Sequence, residues 1–187
     1  WSSDVCSSDL ARFSRYVIDL NRDPAGQALY HDGRSETNLV PVMSFAGRSL
    51  YRAEPPTRAE VQRRIEAYFN PYHQGLAREL AELKKSFKHV LFYDAHSIQR
   101  LVTTIRPEPF KDVILGDQKG KTAAKPLIDC ALAALERSGR TLAHNDPFMG
   151  GYLTRSIGKP ETGIHALQLE MSQDIYMNEK AAARDPA

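Results

Sequence analysis

The sequence predicts an α/β domain built on a mostly parallel sheet that helices cover. Short apolar runs of strand length, such as residues 90–93 and 113–116, alternate along the chain with segments of helical periodicity. Continuous apolar runs are typical of strands buried on both faces, and their alternation with helices favours parallel pairing. At 187 residues, the chain is long enough to form one such domain.

Composition and charge exclude several other classes of protein. The hydrophobic fraction is 42% and the charged fraction 26%, which rules out collagen-like, coiled-coil and wholly disordered chains. The net charge of +2 gives no sign of a nucleic-acid partner. No apolar run approaches the roughly 18 residues of a membrane span. Cys6 and Cys130 stand in no metal-binding or disulfide spacing. We therefore expect a cytoplasmic protein without nucleic-acid or membrane partners.

Residues 1–10 differ from the rest of the chain. They contain the unit Ser-Ser-Asp twice and have neither helical nor strand periodicity. They also lack the basic flank and apolar run of a signal peptide. We interpret them as a non-native leader, with a disordered native tail as the alternative, and residues 11–187 as a single domain whose first part is missing.

The sequence predicts a strand, a long loop and a helix in the first half of the domain. Residues 15–22 form a β-branched apolar run bounded by turn residues, which predicts a buried strand. Residues 23–56 are rich in turn formers and predict loop with at most one hairpin. Residues 57–87 carry a capping-box start and apolar residues every three or four positions, which predicts a helix. Pro71 should kink or divide that helix near Asn70.

The second half alternates strands and helices. Apolar runs predict strands, and helical periodicity predicts the two helices. The predicted elements are strands at residues 90–93, 113–116, 141–144 and 165–170, and helices at residues 122–138 and 173–184.

Three of the predicted strands end in polar residues. These are Asn21-Arg22, Asp94-Ala95-His96 and Gln168-Leu169-Glu170. Ligands of open α/β sheets bind beyond the carboxyl ends of the strands. The sequence therefore predicts a polar site at that edge.

His96 and Glu170 are the residues best suited to chemistry at this edge. A neutral imidazole can ligate zinc, and the carboxylate of Asp94 can fix its tautomer from behind. A carboxylate such as Glu170 can accept the proton of an attacking water. The alternatives are a hydrogen-bonded structural histidine and a salt-bridged structural glutamate.

Three arginines follow polar loop segments. The planar guanidinium groups of Arg22, Arg100 and Arg155 can each bind a carboxylate with two hydrogen bonds, which suits an acidic substrate. Taken alone, each is more often a solvated or structural charge. Gly150-Gly151 permits either close backbone approach to a ligand or a tight turn without one.

Several of these segments, in this order, resemble motifs of the N-formylglutamate amidohydrolase family. The resemblance covers about residues 12–180. Its motifs are residues 14–24 (SRYVIDLNRDP), 70–73 (NPYH), 94–98 (DAHSI), 150–155 (GGYLTR), 165–170 (HALQLE) and 176–177 (YM).

The resemblance implies a three-layer α/β/α fold of the zinc-carboxypeptidase-like (phosphorylase/hydrolase-like) type. It implies hydrolysis of N-formyl-L-glutamate to L-glutamate and formate, the last step of one histidine-degradation route, with one zinc or other divalent ion. By the same resemblance His96 ligates the metal and Glu170 is the general base. Asn21-Arg22 holds a substrate carboxylate, and Arg155 is the second choice for that role.

One family segment has no counterpart here. Members of the family carry an upstream Pro-His-Ser-Gly-like motif that supplies further metal ligands, and nothing before Ser14 resembles it. We therefore expect an incomplete metal site in this chain. Two other functions stay open: a metal-dependent deacylase of another N-acyl amino acid, and an inactive remnant in which Arg22 and Arg155 bind a carboxylate without metal.

Overall fold

The computed structural model describes residues 13–30, 36–44 and 47–179, and the backbone of residues 183–184. The predicted leader and Cys6 lie outside these ranges, whereas Cys130 is a free, exposed thiol. The chain divides into two compact units. The first, here called the helical unit, lies within residues 1–28 and 36–88, and the second, the sheet unit, lies within residues 29–35 and 89–187.

The helical unit contains the long predicted helix in three consecutive pieces. They are α1 (Arg58–Arg64), a π-helical turn (Ile65–Phe69) and α2 (Asn70–Ser86). Thr57 caps α1, because its side-chain oxygen accepts a hydrogen bond from the Glu60 amide at 3.3 Å. Pro71 lies in the first turn of α2, directly after the π-helical turn, whose end is marked by the hydrogen bond from the Asn70 amide to the Ile65 carbonyl. The predicted division near Asn70 is confirmed.

The strand predicted at residues 15–22 is wrong. This segment forms turns, because the side chain of Asp19 competes with strand pairing for the local backbone. The amide of Asn21 donates to Asp19 Oδ1 at 3.0 Å, and the amide of Arg22 donates to the Asp19 carbonyl at 3.2 Å. The amide of Asp19 makes a longer-range backbone hydrogen bond, to the Leu39 carbonyl at 2.7 Å.

The sheet unit is built on one four-stranded mixed sheet. Its strands are β1 (Val90–Ile98), β2 (Val113–Gly116), β3 (Leu142–His144) and β4 (Ile164–Ser172), in the order β1-β4-β2-β3. The β1–β4 and β2–β3 pairs are parallel, and the β2–β4 pair is antiparallel. The mostly parallel α/β sheet that the sequence predicts is confirmed.

Helices lie on both faces of this sheet. The α3 helix (Lys125–Glu136) packs the side chain of Ile128 against Leu115 and Leu167, which face the same way from β2 and β4. The short α4 helix (Tyr152–Ile157) contacts β1 and β4 on the opposite face. Burial of this apolar cluster beneath α3 leaves the other face of the sheet to carry polar groups.

The helix predicted at residues 173–184 is wrong. The chain makes a single 3₁₀ turn (Gln173–Ile175), followed by β5 (Met177–Asn178) paired antiparallel with β6 (Ala183–Arg184). Tertiary contacts override helical propensity, since Asp174 and Glu179 both accept hydrogen bonds from Arg100. Within the described residues, no helix is long and apolar enough to cross a membrane.

Candidate active site

Four polar side chains share one face of the central strand pair. Asp94 pairs with Gln168, and His96 pairs with Glu170, in the parallel register of β1 and β4. Successive residues of a strand alternate between faces, so these alternate positions point the same way. Asp94, Gln168 and Glu170 are buried, and His96 is about a quarter exposed. The four groups lie within their strands, because β1 and β4 continue past the predicted strand ends.

Asp94 supports the ring of His96. Asp94 Oδ1 lies 2.7 Å from His96 Nε2, and Asp94 Oδ2 accepts a hydrogen bond from Thr154 Oγ1 at 3.4 Å. A carboxylate only accepts hydrogen bonds, so this contact places the proton of the neutral imidazole on Nε2. The lone pair of the ring then belongs to Nδ1. The supporting role of Asp94 in the chemistry stays a prediction.

Glu170 is linked to the start of α4 through Gln168. The Gly151 amide donates to Gln168 Oε1 at 2.7 Å, and Gln168 Nε2 donates to Glu170 Oε2 at 3.4 Å. Gln168 is 5% exposed and Glu170 is 8% exposed. The sequence predicts a role for Glu170 but gives no sign of this connection, because Gly151 and Gln168 are 17 positions apart.

Two glycines allow the loop before α4 to approach the sheet. Gly116 pairs with Gln168 across β2 and β4, and a Cβ at Gly116 would lie 2.7 Å from the Gly150 nitrogen. Gly150 has φ +115°, a conformation that side chains with a Cβ rarely adopt. Gly116 is a site-forming residue that sequence reasoning missed, because an interior strand glycine signals close approach only once its neighbour is known.

Arg155 is bound to the loops beside this face. Its Nε donates to the Gly150 carbonyl at 2.9 Å, its Nη1 donates to the Leu29 carbonyl, and its guanidinium lies 5.0 Å from the centroid of the Tyr30 ring. The Tyr30 hydroxyl also accepts a hydrogen bond from the Met149 amide at 3.1 Å. These contacts place Arg155 next to the Gly150-Gly151 turn.

Arg100 forms a structural ion cluster. Its Nε and Nη2 donate to the two oxygens of Asp174 at 2.7 and 2.8 Å, and Nη2 also donates to Asp112 at 2.5 Å. Its Nη1 donates to the Phe110 carbonyl at 2.9 Å. The hydrogen bonds with Asp174 and Asp112 raise the pKa of Arg100, and Arg100 lowers the pKa of Asp112 to about 2. This geometry favours a structural role over substrate binding.

Asn21 and Arg22 belong to the helical unit and are held by contacts within it. Arg22 donates to the carbonyl and the side-chain oxygen of Thr37 at 3.0 and 3.1 Å. His73 Nε2 lies 3.0 Å from the Leu20 carbonyl, and its ring stacks on Phe69 with centroids 4.1 Å apart. Burial lowers the pKa of His73. α2 thus contacts the chain at Leu20, just before this turn, and Thr37 holds the Arg22 side chain.

The described residues do not by themselves fit a catalytic zinc site. Such a site generally takes three protein ligands and a water. Across residues 13–30, 36–44 and 47–179, no group of three or more His, Cys, Asp and Glu side chains could hold a metal ion. His96 with Asp94 gives one imidazole and its supporting carboxylate. No catalytic step is therefore derived through a metal.

Comparison with known proteins gives consistent matches over most of the chain. Residues 7–177 match the model of the N-formylglutamate amidohydrolase family. An N-formylglutamate deformylase from Pseudomonas aeruginosa is 38% identical over 174 residues, and one from Pseudomonas putida is 36% identical over 175 residues. These alignments cover 91% and 90% of this chain, and the chain spans only 64% and 63% of the relatives' own lengths.

Two solved structures are also similar. The crystal structure of N-formylglutamate amidohydrolase from Ralstonia eutropha JMP134 superposes with a TM-score of 0.75 at 31% identity, over 91% of this chain and 67% of that one. A gene product from Agrobacterium tumefaciens superposes with a TM-score of 0.64 at 23% identity, over 92% of this chain and 63% of that one. The second likeness shows the fold alone.

Proposed function

The chain belongs to the N-formylglutamate amidohydrolase family, and from this premise we propose that it hydrolyses N-formyl-L-glutamate to L-glutamate and formate. The observation that carries the proposal is the pairing of His96 with Glu170 on neighbouring strands. An imidazole backed by Asp94 and a buried carboxylate thereby share one face of the sheet. Such a pair can bind and deprotonate a water beside a polar substrate.

Glu170 moves the proton in the proposed reaction. Its carboxylate accepts a proton from the attacking water, whose oxygen bonds to the formyl carbon. The tetrahedral intermediate then breaks its carbon–nitrogen bond, and Glu170 returns the proton to the departing amine. The water oxygen leaves in formate, and the amine leaves in glutamate.

Arginine recognition of the substrate carboxylates accounts for selectivity in this proposal. Arg22, held by Thr37, offers a guanidinium whose position is fixed before substrate binds. By the family resemblance we assign Asn21 and Arg22 to a substrate carboxylate, with Arg155 as the second choice for that role. Arg100 is not carried into the proposal, because its charge is already paired with the carboxylates of Asp174 and Asp112.

His96 remains our proposed ligand for one zinc or other divalent ion. The support is the family resemblance together with the tautomer that Asp94 imposes. A zinc titration of the chain beside its His96→Ala variant tests this assignment. Because the described residues form no three-ligand site, we expect weak zinc binding that His96→Ala lowers further. Equal binding by the two proteins would contradict the role of His96.

Two further proposals rest on the same resemblance: a zinc-carboxypeptidase-like classification of the fold and a place at the end of histidine degradation. A third, a cytoplasmic location, rests on the spacing of Cys6 and Cys130. Each extends the proposed reaction and none is needed for it.

Formate release from two N-formyl substrates and acetate release from N-acetyl-L-glutamate test the function. We expect N-formyl-L-glutamate to be hydrolysed in preference to N-formyl-L-glutamine, which lacks one carboxylate. Release of acetate from N-acetyl-L-glutamate at an equal rate would favour the alternative deacylase. Binding of N-formyl-L-glutamate without hydrolysis, and unchanged by a chelator, would favour the carboxylate-binding remnant.

A further inference from the structure

We propose that Gln168 is a positioning residue that holds the carboxylate of Glu170 in place for proton transfer. This inference rests on the proposed function, because it assigns a task to the base of that reaction. The side-chain amide of Gln168 lies between the backbone N–H of Gly151, just before α4, and the carboxylate of Glu170. Its Oε1 is 2.7 Å from the Gly151 nitrogen, and its Nε2 is 3.4 Å from Glu170 Oε2.

The chemistry of the two neighbours allows only one orientation of the amide. The Gly151 N–H can only donate, so it must face the Gln168 oxygen. The amide nitrogen of Gln168 then points at Glu170, whose Oε2 accepts. In the opposite orientation, the NH₂ group would face the Gly151 N–H, and two oxygens would face each other.

Burial makes this orientation costly to lose. Gln168 and Glu170 are both nearly withdrawn from solvent, at 5% and 8% exposure. A buried amide or carboxylate that loses its hydrogen bond is left unsatisfied, which is unfavourable. The contact therefore favours the Glu170 rotamer in which Oε2 meets Gln168, and it presents a neutral donor to that carboxylate.

The two glycines fix the other end of the bridge. A Cβ at Gly116 would collide with the backbone of Met149 and Gly150, so the absence of a side chain lets this loop lie against β2. Gly116 also pairs with Gln168 across the sheet. The Gly151 amide is thereby brought to the Gln168 side chain by backbone packing, and the base takes its position from the sheet and loop together.

A purely structural role for Gln168 makes a different prediction. Such a role requires only an acceptor for the Gly151 N–H, which Gln168→Glu would retain. The positioning role also requires a donor toward Glu170, which Gln168→Glu removes and replaces with a like charge. The two variants Gln168→Glu and Gln168→Leu therefore separate the two roles.

Kinetics of these variants form the first test. We expect Gln168→Glu and Gln168→Leu each to lower kcat by about tenfold or more with little change in KM, since a displaced general base loses part of its ~10²–10⁴-fold contribution. In a Glu170→Gln background, Gln168→Leu should cause no further loss of kcat. Normal kcat in Gln168→Glu, or an additive loss in the double variant, would overturn the proposal.

A second test does not depend on activity. We expect Glu170→Gln to shift the side-chain amide resonances of Gln168 in a ¹H–¹⁵N spectrum, because a charge-assisted hydrogen bond is lost. The side-chain amide of Gln99, an exposed residue beyond β1, is the control and should not move. Unchanged Gln168 resonances would overturn the positioning role. If the wild-type chain releases no formate while the resonances shift as expected, the proposed function fails and the bridge stands.

Discussion

Glu170 lies directly opposite His96 in the parallel pairing of β1 with β4. The two residues come from segments 74 positions apart (170 minus 96), and the strand pairing brings them to adjacent places on one face. Asp94 and Gln168 are paired two residues earlier and contact His96 and Glu170, respectively. The supporting residues Asp94 and Gln168 and the reactive residues His96 and Glu170 are therefore placed by the same strand pairing.

Replacement of Arg100 should affect stability more than substrate binding. We expect Arg100→Ala to lower the free energy of unfolding by about 1–2 kcal/mol, because it removes a bidentate ion pair and leaves Asp112 without its cation. Chemical denaturation measures the change, and Arg137→Ala at an exposed position is the control. A rise in KM without loss of stability would instead support a substrate role for Arg100.

The same ion cluster should make the protein sensitive to acid. The pKa of Asp112 falls from 3.8 to about 2, mainly through the hydrogen bond from Arg100. A lowered pKa in the folded state adds stability that is present above pH 4 and is lost as the pH falls from about 4 to 2. Melting temperature measured against pH should therefore decline less steeply in that window for Asp112→Asn. Parallel curves would contradict the assignment.

His73 should make the helical unit sensitive to milder acid. Burial lowers the pKa of His73 below 6.5, although its hydrogen bond to the Leu20 carbonyl acts in the opposite direction. Below pH 6.5 the unfolded chain binds the proton more readily, so stability falls as the pH decreases. His73→Gln keeps an N–H donor for Leu20 and should reduce this dependence. An unchanged slope between pH 6.5 and 5 would contradict this expectation.

Two glycine-to-alanine substitutions should have opposite effects. We expect Gly116→Ala to destabilise the protein by about 1–3 kcal/mol, because its Cβ would lie 2.7–3.0 Å from backbone atoms of residues 148–150. Gly75→Ala should stabilise α2 by about 0.5–1 kcal/mol, since only Arg78 Nη2 lies near its Cβ, at 3.9 Å. Chemical denaturation of both variants measures the contrast. A neutral effect at Gly116 would show that the loop can move away.

The apolar runs predicted the sheet unit well, because strands buried in a covered sheet carry a continuous β-branched signal. The β2 strand coincides with the predicted residues 113–116. The same signal failed at residues 15–22, where the Asp19 side chain bonds the backbone of Asn21. Helical periodicity, a different signal, failed beyond residue 172, where contacts with Arg100 hold the chain in a short turn and strand.

The site was predictable only in part. His96 and Glu170 carry chemistry-bearing side chains within recognisable motifs, so the sequence singled them out. Their supporting contacts depend on distant pairs, such as Gly116 with Gly150 and Gly151 with Gln168. No periodicity or spacing encodes those contacts, because they arise from the way the loop before α4 packs on the sheet.

Formate release by the wild-type chain and its Glu170→Gln variant tests whether Glu170 is the general base of the proposed hydrolysis. We expect the wild type to release formate from N-formyl-L-glutamate and Glu170→Gln to lower kcat by ~10²-fold or more while the fold is retained. Glu161→Gln, at an exposed position in the same unit, should match the wild type. Formate release by Glu170→Gln at the wild-type rate would contradict the assignment of Glu170 as the general base.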